Sequence, residues 1–359
     1  MASAVRLPLK SIIFASSIIL AAGASRLQYR DLLLRTFTGP GSYSRTAVIV
    51  LLLINIKNWP FVWSIRVYNA ILGHCVLNKR IIPTEIAPST IFLPTITTSY
   101  SPFTECDYNL HKSNSTYFTD LDVSRSHLVC CLLQPAITKL QYNRLTKLIQ
   151  DKNGKPVQAR FNIMLGSVEC TFKREIGMYQ GYEMWSRLLC WDRKWLYVVT
   201  HFVKKGAVRP RSYILSNGSW FGGKGYKLEG DGRAGSDELD EKAIFASAIS
   251  KYVVKLGRLT VRPEVMLENS GFLPEKPGGW ATVNEESGDS TPETLDAELE
   301  DGAAAANDTS STEWDWKRIV AENLRGMKFA EHLAALDGLH HEFSGSRASA
   351  LGRYTDFPV

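Results

Sequence analysis

One long helical period followed only by strand-like segments is the feature that most limits how this chain can fold. From Thr116 to Leu133 the residues Tyr117, Leu121, Ser124, Leu128 and Leu132 recur at three- and four-residue steps, the spacing of one helix face. Asn114 or Ser115 is expected to cap this helix and Pro135 to end it. The next 120 or so residues read as β. Val168–Phe172 alternates Val, Cys and Phe with Glu and Thr. Tyr182–Trp191 and Trp195–Lys204 flank the polar turn Asp192-Arg193-Lys194, so they are expected to pair as an antiparallel hairpin. Ala243–Leu256 reads as a last strand, after a Gly- and charge-rich insertion at Ser216–Lys242. Ahead of the helix, Ile91–Tyr100 reads as a first strand. A single helix between one strand and several antiparallel ones predicts an α+β layout, with the helix packed on a curved sheet.

The rest of the chain divides by composition. Residues 1–90 carry ten basic and two acidic side chains and two apolar runs, Ser11–Gly23 and Thr46–Ser64. The first is short for a span of ~20 residues and the second is interrupted by Lys57 and Pro60. With flanking Arg, Trp59 and Trp63, they predict a membrane-anchoring region of one or two segments, ahead of a cleavable signal peptide or ordinary buried helices. Residues 91–270 form the folded domain. Residues 271–312 read as an acidic, disordered linker: 281–312 hold nine acids and no Lys or Arg. Residues 313–345 are expected to hold an amphipathic helix, with Trp316, Ile319, Val320, Leu324, Phe329 and Leu333 near one face. It is expected to be dispensable for the domain's stability.

Without the acidic stretch, the chain carries 42 basic against 27 acidic residues. Basic segments laced with apolar runs favour a membrane surface over nucleic acid, and no nucleic-acid motif is present. Six Cys, two of them adjacent, make no disulfide framework and read as reduced thiols facing the cytosol. There is no Cys-x-x-Cys and no zinc spacing, no Gly-x-Ser-x-Gly, and Gly222-Gly223-Lys224-Gly225 is too short for a P-loop. No metal or cofactor is expected.

The chemistry concentrates in Glu105-Cys106-Asp107-Tyr108-Asn109-Leu110-His111-Lys112-Ser113-Asn114-Ser115-Thr116-Tyr117. A carboxylate just ahead of a helix can act as base or nucleophile, and the N–H groups of the first helical turn then favour developing negative charge. Asp107 is that carboxylate, and His111 can orient it or polarise a carbonyl. The bland readings stand beside this one: Asp107 and Asn109 as turn residues, Tyr117 as a core aromatic, Trp191, Trp195 and Tyr197 as hairpin packing, and Asp122 with Arg125 as a surface ion pair.

The segment resembles the hotdog-fold acyl-CoA thioesterases of the 4-hydroxybenzoyl-CoA thioesterase type, whose signature is acid-x-Asp-x-x-Gly-His-x-Asn-Asn-x-x-Tyr followed by an acid and an Arg on the central helix. Glu105 falls on the first acid, Asp107 on the Asp, His111 on the His, Asn114 on the second Asn and Tyr117 on the Tyr. Asp122 lies near the helical acid and Arg125 on the Arg; Leu110 replaces the Gly and Ser113 the first Asn. Leu188–Tyr197 is similar to the hairpin of proteins like thioesterase superfamily member six. The resemblance covers roughly residues 90–265. It implies a hotdog fold, a homodimer with sites at the subunit interface, and hydrolysis of acyl-CoA to free acid and CoA. Asp107, His111 and Asn114 would be catalytic, and Leu110, Tyr117 and Arg125 would meet substrate. Two alternatives stay open: a catalytically silent acyl-binding or scaffolding module, and a hotdog hydratase or dehydratase. Asn114 lies in an Asn-x-Thr sequence, and a glycan there would block the site. A functional site therefore places the domain on the cytosolic side of a membrane, expected to be the endoplasmic reticulum.

Overall fold

A computed structural model of the chain describes residues 29–77, 82, 87–151, 153–210, 213–214, 241–280 and 314–336. The chain divides into two compact units, residues 1–59 and 60–359.

In the first unit, α1 (Tyr29–Phe37) and α2 (Ser42–Ile54) form a helical hairpin closed by one arginine. The Arg45 guanidinium donates to the carbonyls of Thr36 (3.2 Å), Thr38 (2.9 Å) and Pro40 (3.0 Å), satisfying groups that the end of α1 leaves without helical partners. At the other end of α2, the Asn55 side chain donates to Leu51 O and the Trp59 indole to Leu52 O. α2 buries none of its residues, so Val48, Val50 and Leu51–Ile54 stand exposed. The apolar run Thr46–Ser64 is not one span. α2 stops at Ile54, a 3-10 turn covers Ile56–Asn58, and the next helix starts only at Val62. At 13 residues α2 is about 20 Å long against the ~30 Å of a bilayer core. No helix among the described residues is long and apolar enough to cross a membrane. Ser11–Gly23 lies outside the described residues.

The second unit opens with α3 (Val62–Leu72) and a π-helical turn, Gly73–Leu77. Its centre is α4 (Asn114–Gln141). All five residues of the sequence stripe, Tyr117, Leu121, Ser124, Leu128 and Leu132, are buried. The helix begins earlier than expected, with Ser113 as its extended N-cap residue in place of Asn114 or Ser115. It also runs through Pro135. The ring costs about 3 kcal/mol, but Ile137 and Leu140 beyond it are buried and contribute roughly 1.5–3 kcal/mol each.

α4 lies on an antiparallel sheet of order β1-β3-β4-β5-β2, with β6 beside β5. The strands are β1 (Thr95–Tyr100), β2 (Phe161–Phe172), β3 (Gly181–Trp191), β4 (Trp195–Lys204), β5 (Ile244–Leu256) and β6 (Leu259–Val261). β1 is shorter than the apolar run suggested, because Ala87–Thr90 forms a helical turn and Ile91 follows it into the core. The β3–β4 hairpin closes where expected: Asp192 Oδ1 accepts from the Lys194 and Trp195 amides at 2.7 and 2.6 Å. Trp191 is buried and stacks on Phe92, and Tyr197 is buried on the sheet's other side. A short helix α5 (Pro263–Asn269) packs on α4. One long helix packed on an antiparallel sheet is the hotdog arrangement.

The C-terminal helix α6 (Trp316–Ala335) is present and capped by Asp315, and it packs on the domain where the sequence suggested a detached segment. It covers β3 on the face opposite α4, where Ala330 and Leu333 pack with Leu189, Cys190 and Tyr197. The contact runs through Ile319, Asn323, Gly326, Ala330 and Leu333; of the expected apolar face Ile319 and Leu333 are buried, whereas Phe329 is exposed. A Cβ on Gly326 would stand 2.4 Å from Leu189 O, so only glycine permits this approach. Asn323 binds both backbone groups of Trp191, accepting from N at 2.7 Å and donating to O at 3.1 Å. Most of the linker (281–312) and of the 216–242 insertion lies outside the described residues.

Candidate active site

The segment between β1 and α4 folds into a small hairpin. After the 3-10 turn Phe103–Glu105, Cys106 and Lys112 pair across it. The tip is a tight turn: Asp107 N donates to His111 O and Leu110 N to Asp107 O, both at 3.0 Å. Asp107 Oδ1 accepts from Asn109 N at 2.9 Å, the local bond that makes Asp a turn former. Leu110 closes the turn with φ 62. This left-handed conformation suits glycine and costs a leucine about 1 kcal/mol or more, which is the backbone reason for a Gly in the signature. The Leu110 side chain is 58% exposed.

His111 stands between two carboxylates. Its Nδ1 is 3.5 Å from Asp107 Oδ2 and its Nε2 3.5 Å from Glu175 Oε1. The Asp107 and His111 side chains are 27% and 22% exposed, so solvent and a substrate can reach both. The two distances are long for hydrogen bonds. Glu175, on the loop between β2 and β3, carried no sequence signal: it stands far along the chain and is reached because His111 pairs with Gly177.

The remaining sequence candidates fall elsewhere. Asn114 opens α4 and is exposed there. Tyr117 is buried, edge-on to Phe172 and Phe202 at 4.9 Å, and its ring faces Lys112 Nζ at 5.3 Å. Burial, then the Cys170 thiol and the Asp120 and Glu175 carboxylates, push its phenol well above the ordinary value, so it stays protonated. Arg125, eight residues on and so about 12 Å along the helix, is buried too. Its guanidinium reaches Ser250 Oγ and Asp122 Oδ1, both at 2.6 Å, and Leu121 O at 3.1 Å. The Asp122–Arg125 pair exists, but its arginine end is a strut between α4 and β5 and not a surface group. Asp107, Leu110 and His111 therefore share one turn; Tyr117 lies in the core nearby and Arg125 is set apart.

Sequence reading missed a buried charge cluster at the hairpin's base. Lys112 Nζ lies 2.5 Å from Glu105 Oε2 and 2.9 Å from Asp120 Oδ2. Asp120 also accepts from Arg66 at 2.8 Å and from the Tyr182 hydroxyl. Asp120 could have been found, because it lies three residues after Tyr117 and four before Ser124, on the buried stripe. Among the described residues no group of three or more His, Cys, Asp or Glu could hold a metal ion.

This arrangement offers a solvent-reachable carboxylate, an imidazole beside it and the N-terminus of a long helix directly after them. It can activate water or attack a carbonyl while the helix end favours an oxyanion. Comparison with known proteins agrees. Residues 101–216 match the model of the thioesterase-like superfamily. The chain is 34% identical over 333 residues to thioesterase poxG of Penicillium oxalicum, covering 91% of this chain and 95% of that protein. It is 32% identical over 329 residues to the probable thioesterase atnL of Emericella nidulans, covering 90% and 93%. Against the probable thioesterase YBR096W of Saccharomyces cerevisiae it is 33% identical over 177 residues, covering 49% and 54%. With two relatives this similar along nearly their whole length, and a signature turn placed at the head of the long helix, the chain belongs to the thioesterase-like superfamily.

Proposed function

We propose that this chain hydrolyses acyl-CoA thioesters to the free acid and CoA. The observation that carries this reading is the Asp107–His111 pair on one exposed turn at the start of α4. Asp107 Oδ1 is engaged with Asn109 N, which leaves Oδ2, the oxygen facing His111, to take a proton from water or to attack the thioester carbonyl. Water oxygen adds to the carbonyl carbon and gives its proton to Asp107 Oδ2, the carbon–sulfur bond breaks, and that proton passes by way of His111 to the sulfur, so that CoA leaves as thiol; where Asp107 attacks instead, the acyl-aspartyl anhydride so formed is then hydrolysed by water. His111 holds the Asp107 carboxylate in place and can return a proton to the departing sulfur. The first turn of α4, opened by Asn114, favours the negative charge that forms on the carbonyl oxygen.

The working unit is proposed to be a homodimer. β2 is an edge strand of 12 residues with Met164 and Leu165 exposed, and a long apolar edge of this kind is normally covered by another strand. The N-terminal region is proposed to hold the chain at a membrane, the endoplasmic reticulum, with the thioesterase domain in the cytosol. The exposed apolar side chains of α2 and the basic excess of residues 1–90 support that placement.

The test is release of free CoA from a panel of acyl-CoAs by the full chain and by Asp107→Asn. Release that Asp107→Asn abolishes supports the reading. Binding of acyl-CoA with no release by the wild type would make the chain an acyl-binding module. Equal release by both forms would move the chemistry away from this turn.

A further inference from the structure

Four charged side chains meet at the base of the hairpin that carries Asp107 and His111, and the proposed hydrolysis uses none of them. Lys112 follows His111 in the chain, yet its side chain turns inward, between Glu105 and Asp120 and toward the rings of Tyr117 and Tyr182 at 5.3 and 5.4 Å. Asp120 takes Lys112 and the Tyr182 hydroxyl on Oδ2 and the Arg66 guanidinium on Oδ1. Two carboxylates thus face two cations, and the cluster buries no net charge.

Such a cluster is a poor source of stability. Taking each ion out of water costs several kcal/mol, and an apolar group of the same shape often does as well. Its position supplies another reason for it. Glu105 stands two residues before Asp107 and Lys112 one after His111, so their ion pair joins the two stems of the turn. Asp120 lies on the second turn of α4, so the same ammonium ties the turn to the helix. The backbone runs parallel to this clamp: Ser113 N donates to Glu105 O and Lys112 N to Ile176 O, each at 2.8 Å. At the tip, Leu110 is held in a left-handed conformation that it would leave if the stems were loose.

We propose that Lys112, clamped between Glu105 and Asp120, is a positioning residue that holds Asp107 and His111 against the head of α4, and that Arg66 completes its charge balance. Helix α3, which lies outside the residues matched by the family model, is then a working part of the site. The kinetic consequence rests on the thioesterase reading; the effect on the hairpin does not.

The experiment uses the full chain with Arg66→Gln, Arg66→Lys and the charge-balanced pair Glu105→Gln with Lys112→Met. Arg66 is 23% exposed and its loss leaves Asp120 with Lys112 and Tyr182, so Arg66→Gln is expected to fold. Turnover of acyl-CoA should fall about 10- to 100-fold in Arg66→Gln and in the balanced pair, the scale of a mispositioned catalytic group. KM should stay within about twofold, and Arg66→Lys should recover most of kcat. Amide hydrogen exchange at Asp107, Leu110, Lys112 and Ser113 should quicken by about tenfold or more, with the interior of α4 unchanged. A merely structural role would quicken exchange throughout the unit and leave the turnover of folded molecules as it was. Wild-type kcat together with wild-type exchange at the hairpin, in either variant, overturns the proposal. If the wild type releases no CoA, the thioesterase reading falls by itself, and the exchange comparison still decides whether Lys112 and Arg66 hold the turn.

Discussion

The two ends of one short hairpin are built on opposite terms. At its tip Asp107, Leu110 and His111 are open to solvent, joined by local bonds and one strained backbone angle. At its base Glu105 and Lys112 are sealed in the core, in a cluster that draws Asp120 and Arg66 from two helices and Tyr182 from a strand. A tip of this kind can meet a substrate but cannot hold its own shape; a base of this kind can hold a shape but meets nothing. The pairing teaches that an exposed turn with few contacts of its own can be anchored by buried charge a few residues away.

The sharpest way to break the comparison is Lys112→Met, which takes the ammonium away from the buried Glu105 and Asp120 carboxylates. Stability should fall by about 3–5 kcal/mol, read as the urea midpoint of the full chain. A loss under about 1 kcal/mol would mean that the base is no more committed than the tip. Asp107→Asn is the opposite case. Asn keeps an oxygen to accept from Asn109 N, so unfolding should hardly change, while CoA release drops by about 10²-fold or more. His111→Ala should lower release less, since the backbone bonds of the turn stay in place. Leu110→Gly sharpens the account of the tip. It removes the left-handed strain at an exposed side chain and should raise stability by up to about 1 kcal/mol, whereas Leu110→Ala should not. The smallest effect is expected from Asp122→Asn. Arg125 keeps Ser250 and the Leu121 carbonyl, so stability should move by no more than about 0.5 kcal/mol, with turnover unchanged.

A second contrast concerns apolar helices. α2 is nearly unbroken Val, Ile and Leu along its second half and buries nothing, whereas α6 has an ordinary mixed surface and seals one face of β3. Apolar content alone describes neither in full. The run that contains α2 reads as a span but breaks at Asn55 and again at Pro60, and α6 buries Ile319 and Leu333 of its apolar face but also makes its contact through Gly326 and Asn323, residues that no hydrophobic pattern picks out.

What the residues determined by themselves is what depends on neighbours within a few positions. The buried stripe of α4 follows from 3.6-residue spacing, the β3–β4 hairpin from alternation and the turn chemistry of Asp192, and the Asp107–His111 pairing from a four-residue separation across a tight turn. What only the tertiary structure decided depends on partners that the chain brings from far away. Arg66 meets Asp120 across 54 positions and Asn323 meets Trp191 across 132, and α4 continues past Pro135 because its last turns are packed in the core. A buried ion pair, a glycine contact and a helix that outlives its proline each take their free energy from groups that are not neighbours in sequence. Local pattern therefore placed Asp107 and His111 on one turn, and long-range packing decided what surrounds its stems.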